Sequence, residues 1–213
     1  MIVGFGGKAG AGKDTLSMFV AMHLYAERVT ARRVALADSM KRIAKELGWN
    51  GQKDAVGRFA LQRFGTELMR AKDPKFWINE WHSEKWKGWS GGQIHVWLVP
   101  DVRYINEAVW IRESDGILVR VTKLDAEPPS LQDLATSTTA GDIASISIPE
   151  HMMNLLPKPA RETRKAIAEH KSETEMDKWT DWDFDVTAEA GDLLTLWEYA
   201  AKISKEIRRR GRL

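Results

Sequence analysis

The chain has 213 residues, of which 43% are hydrophobic and 29% charged, with a formal net charge of +2; this balance excludes a disordered chain and gives no reason to expect a nucleic-acid partner. Because cysteine is absent, disulfides, thiolate metal sites and cysteine nucleophiles are excluded. No stretch approaches the roughly 20 apolar residues that span a bilayer, so we expect no membrane partner and a cytoplasmic location.

Hydrophobic periodicity predicts strands that alternate with helices along the chain. The predicted strands are 2–5, 34–37, 94–99, 116–122 and 184–187, and the predicted helices are 14–28, 39–47, 55–70, 74–86, 104–113, 161–178 and 193–209. Residues 123–160 are rich in proline, serine and threonine, which predicts a long loop or flap. The alternation predicts one α/β domain over 1–213, with a parallel five-stranded sheet flanked by helices and ligands at the carboxyl ends of its strands.

The stretch GGKAGAGKDT lies between the first predicted strand and the first predicted helix. Gly7, Gly10 and Gly12 precede Lys13, and Gly7, Gly12 and Lys13 have the spacing Gly-x-x-x-x-Gly-Lys. Glycine lets backbone N–H groups point inward around a phosphate, and the following helix N-terminus adds positive potential. The strand before and the helix after make this a specific signal for a nucleotide-phosphate loop, with Lys13 at the β and γ oxygens of ATP.

The residues after the loop lysine depart from the commonest pattern. The hydroxyl expected directly after Lys13 is displaced by one position, to Thr15, which we expect to bind Mg²⁺. Asp14 takes its place in the first helical turn, where the helix dipole favours a carboxylate. We expect Asp14 to orient Arg103 or Arg70, or to contact the sugar of an acceptor; a simple helix-start residue is the alternative.

The stretch ALADSMKR places Asp38 at the end of the second predicted strand and Lys41 one helical turn later. A helix cap with an exposed lysine explains this pair. Beside a phosphate loop, the same two side chains are candidates for an acceptor site.

The stretch RFALQRFGTELMR places four polar side chains on one predicted helix face. They are Arg63, Thr66, Glu67 and Arg70. Gly65 between them permits a ligand or a backbone to approach closely. A solvated face with ion pairs three or four residues apart is the alternative.

The stretch LVPDVRYINEA ends a hydrophobic strand at Asp101, followed two residues later by Arg103. A strand-end carboxylate beside a phosphate loop predicts a magnesium site, and Arg103 is aimed at the same crevice. A cap for the following helix is the alternative function of Asp101.

Tryptophan is frequent, with 10 residues. Trp77 and Trp81 lie four residues apart on one predicted helix face, and either could stack on an acceptor base; core packing is the alternative. The five histidines show no close ligand spacing, which disfavours a metal hydrolase.

Several blocks together resemble the deoxynucleoside monophosphate kinases of bacteriophages. These blocks are GKDT at 12–15, ADSMK at 37–41, LQRFGTELMR at 61–70, DVRYINEA at 101–108 and HKSE at 170–173. They occur in the family's order and cover roughly residues 1–190. Residues 127–159 match no block of that family, and SMK replaces a version that contains proline.

The resemblance implies a P-loop kinase fold and transfer of the γ-phosphoryl group of ATP to a deoxynucleoside monophosphate, with Mg²⁺. It implies acceptor-binding helices over about 39–90, a mobile lid over about 123–175, and a possible homodimer. The implied ATP site is Gly7, Gly10, Ala11, Gly12, Lys13, Asp14 and Thr15. The implied acceptor site is Asp38, Lys41, Gln62, Thr66, Arg70 and Arg103, with Trp77 as the stacking candidate. The implied lid residues are His170, Ser172 and Glu173, to which we add Arg161 and Arg164 as candidate lid arginines.

Two other functions stay open at this point. Animal-type phosphomevalonate kinase has a similar loop, which allows another phosphorylated small molecule as acceptor. The basic tail KEIRRRGRL allows a nucleotide-binding regulatory or DNA-associated module, although positive charge at a helix C-terminus explains the same arginines.

Overall fold

The structure is a computed structural model that describes residues 1–52, 55–85, 92–124 and 170–211. Five parallel strands form one sheet in the order β2-β3-β1-β4-β5. The strands are β1 Ile2–Gly6, β2 Ala31–Arg33, β3 Val96–Val102, β4 Ile117–Lys123 and β5 Phe184–Ala188. The predicted fold class, an α/β fold with a parallel five-stranded sheet flanked by helices, is confirmed.

The helices alternate with the strands as the hydrophobic pattern predicts. They are α1 Lys13–Ala26, α2 Leu36–Glu46, α3 Ala55–Arg63, α4 Phe76–Glu84, α5 Ile105–Glu113, α6 Lys171–Thr174 and α7 Leu193–Gly211. A π-helical segment, Phe64–Arg70, continues α3, and a 3₁₀ turn, Glu175–Lys178, follows α6. Among the described residues, no helix is both long enough and apolar enough to cross a membrane.

The second strand lies earlier than predicted. We expected residues 34–37 to form it, but β2 ends at Arg33 and α2 begins at Leu36. The carboxylate of Asp101 accepts the backbone N–H groups of Leu36 and Ala37, which lets a helix start here. Asp38 therefore lies in the first turn of α2 and not at a strand end, which corrects that prediction.

The third strand continues through the proline that we expected to end it. Pro100 has no N–H to donate, and the pairing of β1 with β3 shifts register between Gly4 and Gly6, where two residues of β3 oppose one of β1. Asp101 is therefore part of the strand, at this irregularity, and pairing resumes at Val102.

Hydrophobic layers cover both faces of the sheet. Helices α1 and α7 pack on one face, where Leu16, Val20 and Ile203 are fully buried with the inward residues of the strands. Helix α5 packs on the other face, and a Cβ at Gly4 would lie 2.4 Å from Ile111 Cδ1. Gly4 is thus required for the close contact between β1 and α5.

A third, smaller cluster joins α2, α3, the π-helical segment and α4, and it contains Trp77, Phe64 and Leu61. Trp77 is only 2% exposed and its indole N–H donates to the Gly65 carbonyl at 2.9 Å. A Cβ at Gly65 would lie 2.6 Å from Met40 Sδ, so this glycine admits a neighbouring side chain. The stacking role predicted for Trp77 is wrong in this structure, because its ring is part of the core.

The basic tail is engaged within the chain. Arg208 forms an ion pair with Glu27, Arg209 with Glu206, and Arg210 with both Glu206 and Asp183. The pairs with Glu27 and Asp183 fasten the end of α7 to the domain, and all three arginines have carboxylate partners.

Candidate active site

The loop between β1 and α1 has the geometry that its glycines predict. Gly7, Gly10 and Gly12 all have positive φ, at 131°, 75° and 95°, which side chains with a Cβ rarely adopt. A Cβ at Gly7 would also lie 2.1 Å from the Val121 carbonyl oxygen. Backbone conformation therefore favours glycine at all three positions, and lack of space does so in addition at Gly7.

Lys13 folds back over this loop. It is 7% exposed, and its Nζ donates to the carbonyl oxygens of Gly7 and Lys8, each at 2.6 Å. The Ala11 N–H donates to the same Lys8 carbonyl at 3.2 Å. The ammonium thus lies inside the loop, at the start of α1, where a phosphate oxygen would take the place of the carbonyl groups.

Asp14 does not contact either of the arginines that we expected it to orient. Its carboxylate accepts a hydrogen bond at 2.9 Å from Arg33, at the end of β2. The same guanidinium donates to the Ser17 hydroxyl at 2.8 Å. The prediction that Asp14 orients Arg103 or Arg70 is therefore wrong, whereas its contact with an acceptor sugar stays a prediction.

Thr15, the first predicted Mg²⁺ ligand, is partly buried in the first turn of α1, and its role toward Mg²⁺ stays a prediction. Asp101, the second predicted ligand, has both carboxylate oxygens bonded to the N-terminus of α2, at 2.8 Å each. Burial raises the pKa of Asp101 above its ordinary value, although these N–H groups and Arg103 oppose the shift. The geometry gives Asp101 a capping function, for a different helix from the one that we considered, and its role toward Mg²⁺ stays a prediction.

The remaining acceptor candidates on α2 and α3 lie near the surface. Asp38 accepts the Ala35 N–H at 3.1 Å and forms an ion pair with Lys41 at 3.1 Å. Gln62 is partly buried on α3. The structure therefore supports the capping interpretation of Asp38, and acceptor binding by Asp38, Lys41 and Gln62 stays a prediction.

The π-helical segment contacts the N-terminus of α5 through two of the predicted acceptor residues. Thr66 Oγ1 lies 2.5 Å from the Tyr104 hydroxyl. Arg70 donates to Glu107 Oε1, and its guanidinium carbon lies 3.8 Å from the centre of the Tyr104 ring. These four residues form one cluster near the carboxyl end of β3.

Glu107 is the buried centre of this cluster, with 1% of its surface exposed. Its second oxygen, Oε2, accepts the backbone N–H groups of Arg103 at 2.7 Å and Tyr104 at 3.1 Å. Burial raises the pKa of Glu107, while Arg70 and the Arg103 N–H act in the opposite direction. One carboxylate thus holds the Arg70 side chain and the Arg103 backbone.

A cavity of about 230 Å³ connects the phosphate loop with Arg103. It is lined by Gly7, Lys8, Ala11, Val102, Arg103, Arg120, Val121, Thr122, Lys123, Met176, Asp177 and Trp182. Four of these lining residues are cationic and one is acidic, so the cavity favours an anion. Asp177 forms an ion pair with Lys8 at 3.8 Å, and Arg120 with Asp185.

The lid is largely outside the described residues. Arg161 and Arg164 fall there, as does the predicted loop over 123–160 beyond Leu124. His170 is partly buried, and its carbonyl accepts the Thr174 hydroxyl at 3.5 Å. Ser172 and Glu173 belong to α6, but their side chains are not described. The lid and its residues stay predictions.

Sequence reasoning missed Glu107, Tyr104 and Arg33. The spacing of Tyr104 and Glu107 is that of an N-cap and its third helical residue, which could have indicated a helix cap. No pattern connects Glu107 with Arg70, because 37 residues separate them. Arg33 follows another arginine in a short strand, where its side chain gives no local signal.

Comparisons with known proteins add little to this geometry. No protein-family model matches the chain, and no curated protein sequence matches it. Among solved structures, the chain is similar to shikimate kinase from Aquifex aeolicus, at 12% identity and a TM-score of 0.42, over 99% of each chain. A similarity this low carries no argument about function, so the resemblance to phage kinases stays a prediction.

Proposed function

We propose that this chain transfers the γ-phosphoryl group of ATP to a deoxynucleoside monophosphate, giving ADP and a deoxynucleoside diphosphate for DNA precursor supply in phage replication. The observation that carries the proposal is a phosphate loop with a buried lysine beside a second cationic site. Arg103 lines a cavity with the phosphate loop, its backbone N–H donates to Glu107, and the same carboxylate accepts the Arg70 guanidinium. Two cationic sites side by side suit a reaction between two anions.

Phosphoryl transfer depends on positioning and charge neutralisation more than on covalent help from the protein. Lys13 would exchange its two carbonyl partners for β and γ oxygens of ATP, because a charged acceptor makes the stronger hydrogen bond. Arg70 and Arg103 would hold the acceptor phosphate and reduce its repulsion of the γ-phosphate. Mg²⁺, when bound near Thr15, would neutralise further phosphate charge.

This reaction does not require a general base. A phosphate monoester dianion is already a nucleophile at neutral pH, so the acceptor attacks without losing a proton. Exclusion of water is the remaining requirement, which we assign to the predicted lid over 123–175. Formation of a homodimer stays part of the proposal.

A coupled assay of ADP formation with ATP and Mg²⁺ tests this function. The acceptors are dAMP, dGMP, dCMP, dTMP, the four ribonucleotides and phosphomevalonate. We expect at least one deoxynucleotide to stimulate ADP formation, and Lys13→Ala to abolish the stimulation. The matched control is Lys205→Ala, an exposed lysine of α7 outside every predicted ATP, acceptor or lid site, which should retain activity.

The other outcomes separate the alternatives. Stimulation by phosphomevalonate alone would show that the chain is a kinase with a different acceptor class. Nucleotide binding without any acceptor-dependent ADP formation would favour a regulatory module. For the DNA-associated version, deletion of residues 208–213 would have to abolish salt-dependent DNA binding.

A further inference from the structure

Glu107 does more than cap a helix. A glutamate at the third position of α5 satisfies the free N–H groups of that helix with one oxygen, and Oε2 does this for Arg103 and Tyr104. The other oxygen is not needed for capping. It accepts instead from Arg70, which belongs to the π-helical segment.

Arg70 is held on two sides. Glu107 binds one of its nitrogens, and the Tyr104 ring lies against its flat face at 3.8 Å. Tyr104 is itself fixed, because it is buried and its hydroxyl lies 2.5 Å from Thr66 Oγ1. The guanidinium therefore has one orientation.

The held guanidinium keeps most of its donors. A guanidinium has five N–H groups, and within the described part of the chain Arg70 uses one of them in a hydrogen bond. Its side chain is 12% exposed. Such a cation, fixed at one nitrogen and on one face, can present an edge to two oxygens of a phosphate.

The backbone conformation supports a functional reason for this arrangement. A π-helix is rare and is frequently found at functional sites. Here the π-helical turns place Thr66 and Arg70 together against α5.

We propose that Glu107 is a positioning residue of the acceptor site: its two oxygens fix the Arg70 guanidinium relative to the Arg103 backbone, and this sets where the acceptor phosphate binds. The inference rests on the proposed function. It assigns Glu107 a selective effect on the acceptor and none on ATP, because Lys13 and the phosphate loop lie outside its contacts.

Steady-state kinetics of Glu107→Gln test the inference, with acceptor and ATP varied in turn. We expect the acceptor KM to rise at least tenfold and the ATP KM to stay within twofold. The matched control is Asp183→Asn, because Asp183 also accepts a backbone N–H, from Leu118, and two arginines, but at the amino ends of β4 and β5. That variant should lose thermal stability and keep both KM values within twofold.

Each result has a distinct meaning. Wild-type protein without acceptor-dependent ADP formation would contradict the proposed function. Active wild type, with Glu107→Gln that keeps its acceptor KM or raises both KM values equally, would overturn the inference alone.

A second variant covers the case in which Glu107→Gln does not fold. In Arg70→Ala, Glu107 and Tyr104 still form a binding site for a free cation, so added guanidinium should raise acceptor-dependent activity at least tenfold. Potassium at the same concentration is the control. Failure of guanidinium to rescue a folded Arg70→Ala protein would contradict a preformed guanidinium site at Glu107 and Tyr104.

Discussion

Arg70 and Arg112 each pair with a carboxylate that also accepts backbone N–H groups, but Arg70 lies near the carboxyl end of β3 and Arg112 near the amino end of β4. The two arginines also use their donors differently. Arg112 donates from all three nitrogens, to the carboxylates of Asp181 and Asp183 and to two carbonyl oxygens. Arg70 makes a single hydrogen bond in the described part of the chain, to Glu107. Among the described residues, Arg112 thus uses four of its five N–H groups, whereas Arg70 keeps four that can bind a ligand.

The largest difference should come from removing each arginine and measuring activity. Arg70→Ala should lower kcat/KM for the acceptor by about 10²–10³-fold, the cost of losing one preorganised donor to a reacting anion. The same initial-rate assay on Arg112→Ala should give a change of less than about threefold, because Arg112 lies at the amino ends of β4 and β5 and bonds four of its five N–H groups to the protein. Equal losses in the two variants would remove the distinction.

For stability we expect the reverse order, with a larger loss in Arg112→Ala than in Arg70→Ala. Arg112→Ala leaves Asp183 with one arginine fewer in a half-buried site, and we expect the free energy of unfolding to fall by about 3 kcal/mol. For a chain of this length that corresponds to a decrease of about 6–12 °C in the midpoint of thermal unfolding. Differential scanning calorimetry of both alanine variants measures this directly. A more stable Arg112→Ala protein would show that the cluster serves another purpose.

The two carboxylates should have opposite effects on stability as a function of pH. Burial acts to raise the pKa of Asp183, but hydrogen bonds from Leu118, Arg210 and Arg112 outweigh it and hold the pKa below the ordinary 3.8. Its stabilising contribution is therefore present above about pH 3.8 and lost as pH falls through the lower folded-state value. Asp183→Asn should flatten this acid-side decrease.

Glu107 behaves in the other sense, because burial raises its pKa above the ordinary 4.5. The folded protein then binds the proton more tightly than the unfolded chain, so the free energy of unfolding decreases as pH rises from 4.5 through the folded-state value. Glu107→Gln should remove that decrease. Urea unfolding of the wild type and both variants at a series of pH values from 3 to 7 checks the two signs, and identical profiles would contradict them.

The smallest expected effect comes from the Tyr104 hydroxyl, next to Arg70. Tyr104→Phe removes the hydroxyl near Thr66 but keeps the ring under the guanidinium. We expect about 1 kcal/mol of lost stability and less than about fivefold lower kcat/KM for the acceptor. Chemical denaturation and the same kinetic assay measure both. A loss as large as that of Arg70→Ala would mean that the hydroxyl, and not the cation, contacts the acceptor.

Local patterns predicted much of the fold. The strands near 2–5, 116–122 and 184–187 and the phosphate loop follow from hydrophobic runs and glycine spacing, and all are present. The start of α2 was misplaced because its N-terminus is capped by Asp101, 65 residues away. The π-helical segment was read as an α-helix because both have apolar residues at similar spacing.

The site was predicted less completely for a similar reason. Arg70 and Arg103 were identified from their blocks, but Glu107 between them was not. Its function depends on a contact with a residue 37 positions away. The sequence around a helix-capping glutamate does not show which other side chain it contacts. Trp77 was placed wrongly because an indole that could stack on a base is also the side chain that a core most readily buries.

The π-helical segment affects how this site could change during evolution. A π-helix differs from an α-helix in that each hydrogen bond spans one more residue. Deleting one residue within Phe64–Arg70 would let the segment return to an α-helix, and the segment would absorb the deletion, so that residues after it keep their faces. The side chains inside the segment would change face relative to one another, and Thr66 and Arg70 would no longer both reach the start of α5, while the sheet stayed intact. The gain or loss of a single codon is thus one route by which a relative of this chain would acquire a different acceptor.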